Sequence, residues 1–274
     1  MGWARAALGL VALVAAAALL LSGGSEADPQ TPRGLPGLPP PFLGTAVVGD
    51  GGLTAAIDAY GDVVDLRAPG PAGRALIDNP AARQAAGTVP ADTGIVPWVS
   101  VGGRPARPLW TADSIVQSYR PGTNVLVTVA RFGKARVRIV YAAGDSILAC
   151  LTEDDGDAQV RLRTNDPAAR RLRCDDRLAR RVIRAAEQDD RRWLGRSRPL
   201  APDAPRWGER MYEHSLLALR ALTDRRTGAV AAGARDGWAY VWPRDAAASA
   251  IAFAASGHQA EAERVTRFLL GLGM

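Results

Sequence analysis

Lysine is almost missing: Lys134 is the only one in 274 residues, so the formal net charge of +6 rests on arginine. The charge is also unevenly spread. Residues 161–198 hold thirteen Arg against six acidic residues, and the rest of the chain sums to −1. Aromatics are missing from that run apart from Trp193. A groove for single-stranded nucleic acid interleaves aromatics with its charges. The run therefore reads as one solvated helix face plus a compositional habit, and no nucleic-acid partner is expected. Long apolar runs are missing too, once the N-terminus is passed, which excludes further bilayer spans. Cysteine occurs twice, as Cys150 and Cys174.

What is present is a globular composition, 47% hydrophobic and 23% charged. The start of the chain is an address. Arg5 precedes an apolar stretch from Ala6 to Leu21, and small and polar residues follow from Ser22. This order matches a secretory signal over 1–27, with Ser25-Glu26-Ala27 at the cleavage region. An uncleaved anchor is the second reading, because the stretch is only slightly short for a span. Either way the remainder is expected outside the cytoplasm, secreted or in the cell envelope, with the membrane touched only through this signal or anchor. In an oxidising compartment Cys150 and Cys174 either pair or remain as two buried thiols; a count alone does not separate these.

Residues 28–41 are rich in Pro and Gly and form a linker. From 42 to 174 the pattern is that of strands. Leu53–Tyr60 and Val63–Arg67 flank Gly61-Asp62. Asn124–Phe132, Ala135–Tyr141, Ser146–Thr152 and Ala158–Thr164 then succeed one another, with turns at Gly133-Lys134, Gly144-Asp145 and Asp154–Asp157. In Arg136–Tyr141 charged and apolar residues largely alternate, which predicts one wet and one buried face. Repeated short strands with tight turns predict an antiparallel β-sandwich domain.

At Asp175 the period changes to that of helices. Leu178, Val182, Ile183, Ala186 and Trp193 form one stripe of an amphipathic linker helix within 175–204, ended by Pro199, Pro202 and Pro205. From 205 to 274 three further helices are expected. Glu209–Thr223 is apolar on more than one face and so should be covered on several sides. Asp245 is placed to cap Ala246–Ser256, which Gly257 closes. Gln259–Leu270 carries Ala260, Val265, Phe268 and Leu269.

The densest chemistry lies in Gly237–Asp245, where Trp238, Tyr240, Trp242, Arg244 and Asp245 fall just before a helix. An aromatic face covers the C–H side of a sugar ring. A carboxylate accepts from two neighbouring hydroxyls, and a guanidinium donates from a fixed fork. Local composition fits equally a buried Arg–Asp pair at a helix N-terminus, packed under tryptophans.

The motif Tyr240-x-Trp242-Pro243-Arg244-Asp245-Ala246 resembles the sugar-binding loop of glycoside hydrolase family 15, the glucoamylase and glucodextranase family. Around it, Tyr212-x-His214-Ser215-Leu216-Leu217 through Thr223-Asp224 and Thr227-Gly228-Ala229 is similar to that family's first barrel helix and exit loop. Gly257, Glu261-Ala262 and Phe268-Leu269 resemble the second helix pair. Phe42-Leu43-Gly44, Asp58-x-Tyr60-Gly61-Asp62-x-x-Asp65-Leu66 and Ile77-Asp78-Asn79-Pro80 resemble its N-terminal sandwich. The resemblance implies a β-sandwich followed by the first helices of an incomplete (α/α)6 barrel. It also implies an α-glucan or oligosaccharide substrate and no cofactor or metal. Arg244 and Asp245 would hold the terminal glucose, and Trp242, Tyr240 and Trp238 would wall its subsite; Trp238 stands where fungal relatives have Tyr.

The family inverts, which needs an acid and a base about 6.5–9.5 Å apart. Of the seven glutamates (Glu26, Glu153, Glu187, Glu209, Glu213, Glu261 and Glu263) none stands at a family catalytic position, and the last four read as solvated helix faces. Twelve helices of roughly 10–14 residues with their loops need well over 200 residues, far more than follow Pro205. The expectation is thus a fragment of an exported glucoamylase-type hydrolase, with no catalytic residue of its own. The alternative is a non-catalytic exported module that binds glycan or protein.

Overall fold

The computed structural model describes residues 45–78, 94–144, 147–155, 157–163, 171–234 and 238–272. The expected signal (1–27), the linker (28–41), Phe42-Leu43-Gly44, Asn79-Pro80 and Asp236-Gly237 lie outside the described residues.

Three mostly antiparallel sheets come first, and helices follow. One sheet runs in chain order through β1 (Thr45–Gly49), β2 (Thr54–Asp58), β3 (Val63–Ala68) and β4 (Arg74–Asp78). A small sheet places β5 (Val96–Val101) between β6 (Arg107–Pro108) and β11 (Ala158–Arg163). The largest has the order β12 (Leu172–Cys174), β10 (Ile147–Asp154), β9 (Ala135–Gly144), β8 (Leu126–Phe132), β7 (Ser114–Tyr119). Among the described residues only β12 pairs parallel, bringing Cys150 opposite Cys174. These two are joined by a disulfide, with Cα atoms 4.5 Å apart. Closing a loop of this length stabilises a fold by roughly 3 kcal/mol.

The sheets share one core. Leu53, Ile57, Val63, Leu66 and Ile77 pool with Leu126, Val137, Ile139, Tyr141 and Leu148. Hydrogen bonds stitch the layers: the Tyr119 hydroxyl donates to the Val47 carbonyl at 2.9 Å and accepts the Val47 N–H at 2.8 Å. The Tyr141 hydroxyl donates to the Gly61 carbonyl at 3.1 Å.

Strand β9 corrects the expectation of a wet face. Arg136 is exposed and Arg138 half-buried, but Val140 and Ala142 are as buried as Ile139 and Tyr141 on the opposite face. The cause is helix α1 (Arg177–Leu194), whose Ala179, Val182 and Ile183 pack on Val125, Val127, Val140, Ala142 and Ala149. A side-chain period of two shows a wet face only where nothing covers the sheet.

The passage from strand to helix takes two residues. Asp175 has φ 59°, its N–H donates to the Cys150 carbonyl at 3.0 Å, and its carboxylate accepts from the Thr152 N–H and hydroxyl. Asp176 then caps α1 by accepting the Ala179 N–H at 2.7 Å.

Helices α2 (Arg206–Ala221), α3 (Pro243–Ala255) and α4 (Gln259–Leu270) gather around Trp193 at the end of α1. Trp193 stacks on His258 with centroids 3.6 Å apart, and meets Phe253 edge-on at 6.3 Å. One helix expectation holds and one needs correction. Helix α2 is covered on several sides as expected: no residue from Met211 to Leu222 is exposed, Leu216 and Leu217 join the Trp193 cluster, His214 lies 4.3 Å from the Tyr119 ring, and the Ala221 carbonyl accepts the Thr54 hydroxyl at 3.0 Å. Asp245 does not cap α3: Pro243 opens the helix two residues earlier, Trp242 is the N-cap, and Asp245 lies in the first turn. Proline at a helix start has its φ preset and gives up an N–H that would be unpaired anyway.

Candidate functional site

The loop between α2 and α3 is built from its anchors outward. The Asp224 carboxylate accepts the N–H groups of Arg226 and Thr227 at 2.8 and 2.9 Å, which turns the chain after α2. Gly228, at φ 82°, packs so closely on the Arg264 backbone that a side chain would collide. The return segment pairs with itself: Ala232 N–H donates to the Tyr240 carbonyl at 3.0 Å, Gly233 N–H to that of Trp238 at 2.8 Å, and Ala231 bridges Val241. The inner side of the loop seals against the first sheet, where Ala234 packs with Ala56 and Val64.

Along residues 238–242 burial alternates. Ala239 is buried and Val241 half-buried, whereas Trp238, Tyr240 and Trp242 are 51%, 60% and 47% exposed. The three aromatics are thus each open to solvent. Arg244 and Asp245 follow at the start of α3, with side chains 89% and 44% exposed and Nε to Oδ2 at 3.9 Å. A buried Arg–Asp pair under tryptophans does not describe this arrangement. All five residues singled out in the sequence are brought to one stretch of surface, and no local hydrogen bond consumes the Asp245 oxygens among the described residues.

Two buried acidic sites escaped sequence reasoning as sites. In the β2–β3 turn, Asp58 accepts the N–H groups of Tyr60 and Asp62, each at 2.9 Å. Burial pushes Asp58 up to about 7, against the lowering effect of those amides. Asp62 is pushed well above the carboxylate range by burial and by the charge of Asp58, and its Oδ1 has no partner. The signal was present in Asp58-x-Tyr60-Gly61-Asp62, but spacing does not reveal burial. At the α1–α2 junction, Asp190 accepts the Asn124 N–H at 2.7 Å and Arg220 Nη1 at 3.1 Å. Burial raises Asp190 to about 6 while the Asn124 amide and Arg220 pull it down.

Glu261 also departs from expectation. It is not a solvated helix residue, since it accepts the Trp193 Nε1–H at 2.9 Å and pairs with Arg264 at 3.4 Å. Glu209 and Glu263 are exposed and Glu213 is half-buried.

No protein-family model, no curated protein and no solved structure matches the chain.

Proposed function

We propose that the chain is an exported α-glucan-handling protein of the glucoamylase type, in which Trp238, Tyr240, Trp242, Arg244 and Asp245 form the subsite for a terminal sugar. On this reading the three sheets are the family's N-terminal sandwich, and α2 to α4 belong to its six-hairpin barrel. The observation that carries it is the exposure of the loop: three aromatic side chains are open to solvent within five residues, followed by a guanidinium and a carboxylate with free hydrogen-bonding capacity. Aromatic rings supply apolar contact to sugar C–H groups, and the charged pair supplies charge-assisted bonds to hydroxyls.

Binding of this kind holds ground and transition states alike and does not accelerate a chemical step. The contribution of these residues is therefore to grip and position the sugar. Hydrolysis with inversion needs a general acid and a general base in addition.

Calorimetric titration with maltooligosaccharides tests the proposal. Asp245→Asn turns one acceptor into a donor, and its binding should weaken by about tenfold to a hundredfold, the worth of a charged hydrogen bond. A change below about threefold, under 1 kcal/mol, would remove the site assignment. Glucose release in the same samples separates two forms of the reading. Release at enzymatic rates assigns a hydrolase, and binding without release assigns a glycan-holding module.

A further inference from the structure

The Arg-rich run of 161–198 keeps its helical arginines exposed, as expected, Arg192 included, and Arg196 just beyond the helix is exposed too. Its last turn opens onto a cavity of about 410 Å3, bounded by the end of β9, the second half of α1, the end of α2 and the start of α4. Val182 and Phe253 contribute apolar wall, while Arg192, Arg196, Arg220, Arg225 and Arg264 contribute guanidinium groups. Three carboxylates, Asp50, Asp189 and Glu261, share the lining.

The carboxylates are committed and the guanidinium donors are not. Asp50 takes Arg225 at 3.2 Å, Asp189 takes Arg220 as well as Arg192 at 3.5 Å, and Glu261 takes Arg264 at 3.4 Å together with the Trp193 indole. Every guanidinium has five N–H donors, so each of these pairings leaves some over. Arg264 Nε is buried and has no hydrogen-bond partner. Arg196 enters no ion pair among the described residues. Five guanidinium groups and three carboxylates line the concave space, and Asp190 beside it takes Arg220 Nη1 at 3.1 Å, which leaves an excess of one positive charge.

We propose that this cleft binds a phosphomonoester: a dianionic phosphate held by Arg196 and Arg264, with a sugar-sized body against the apolar wall. The charge excess has the sign that an anionic head group needs. Guanidinium forks match the geometry of phosphate oxygens, and their weak hydration makes their transfer from water cheaper than that of ammonium. The volume lies at the small end of ligand pockets, which favours a compact body over a polymer. The cleft shares no residue with the aromatic loop, so this ligand and a glucan would not compete.

The experiment uses the full chain in calorimetric titrations with inorganic phosphate, glucose 6-phosphate and glucose, at ligand concentrations up to about 10 mM. Saturable binding is expected for both phosphates and not for glucose. Glucose 6-phosphate exceeding phosphate would assign the sugar-sized body, and equality would confine the site to free phosphate, overturning the phosphomonoester. Arg196→Gln and Arg264→Gln should each weaken binding at least tenfold, while Arg161→Gln, on β11 away from the cleft, should not. Because Arg196 is exposed, its variant keeps the test open should Arg264→Gln fail to fold. No saturable phosphate binding, or equal loss in the Arg161 variant, would overturn the proposal. So would glucose binding as tightly as its phosphate.

Discussion

The β2–β3 turn and the start of α3 each carry an acidic residue, and they differ in what uses it. Asp58 is buried and its Oδ1 is occupied by two backbone amides, so the carboxyl shapes the turn. Asp245 is 44% exposed, its nearest charge is 3.9 Å away, and no turn depends on its oxygens. The first acid serves the fold, and the second has its acceptors to spare for something outside the chain. Motif spacing presents both as short acidic-aromatic clusters. Burial and hydrogen-bond accounting tell them apart.

Three outcomes would sharpen or break that contrast. The largest effect is expected in the closed region. Tyr141 is fully buried and bonds the turn at the Gly61 carbonyl. Tyr141→Ala should cost about 4 kcal/mol in denaturant unfolding, the usual range for emptying an aromatic site in a core. A loss under about 1 kcal/mol would show that the turn is not tied to the large sheet.

A smaller effect should follow pH. Asp58 holds its proton up to about 7 when folded, far above its value in the unfolded chain, and Asp62 is shifted the same way. The folded state therefore binds more protons between those limits. Stability should be greatest below about pH 4 for this pair and fall as pH rises through 7, by up to about 1.4 kcal/mol per pH unit for one proton. Asp62→Asn should flatten the slope in urea titrations at several pH values. A slope of the opposite sign would contradict the burial argument.

The smallest change belongs to the open region. Trp238→Ala should alter stability by no more than about 0.5 kcal/mol, as surface substitutions do, while weakening glucan binding. A large stability loss with unchanged binding would turn the comparison upside down.

Where local chemistry decides, the sequence is a good guide. Gln259–Leu270 is a helix with the expected bounds, because Gly257 at φ 92° and Gly271 mark its ends. The turn at Gly133-Lys134 pairs Phe132 with Ala135, as two residues between alternating runs require. Pairing of Cys150 with Cys174, open on counting alone, is decided by β12 lying beside β10. What escapes is set by distant neighbours. The second buried face of β9 depends on α1 covering it, and Glu261 depends on the Trp193 indole arriving from another helix. The arginine run keeps its exposed face, yet that its Arg192 and Arg196 also border a cleft with Arg220, Arg225 and Arg264 depends on those distant partners.

The two-residue passage through Asp175 and Asp176 has a mechanical consequence. A disulfide at Cys174, a backbone bond to Cys150, a carboxylate clamp on Thr152 and a helix cap all fall within three consecutive positions. The direction in which α1 leaves the large sheet is therefore fixed, and α1 moves with that sheet as one lever. Any swing of α2 to α4 relative to the strands must take place beyond Leu194. There the chain runs through Pro199, Pro202 and Pro205 before α2 begins, in a stretch without helix or strand. A hinge engineered at the sheet exit would meet resistance there, and one engineered between 199 and 205 would have to release α2 from the first sheet, where the Ala221 carbonyl accepts the Thr54 hydroxyl at 3.0 Å and the Arg225 N–H donates to the Gly51 carbonyl at 3.1 Å.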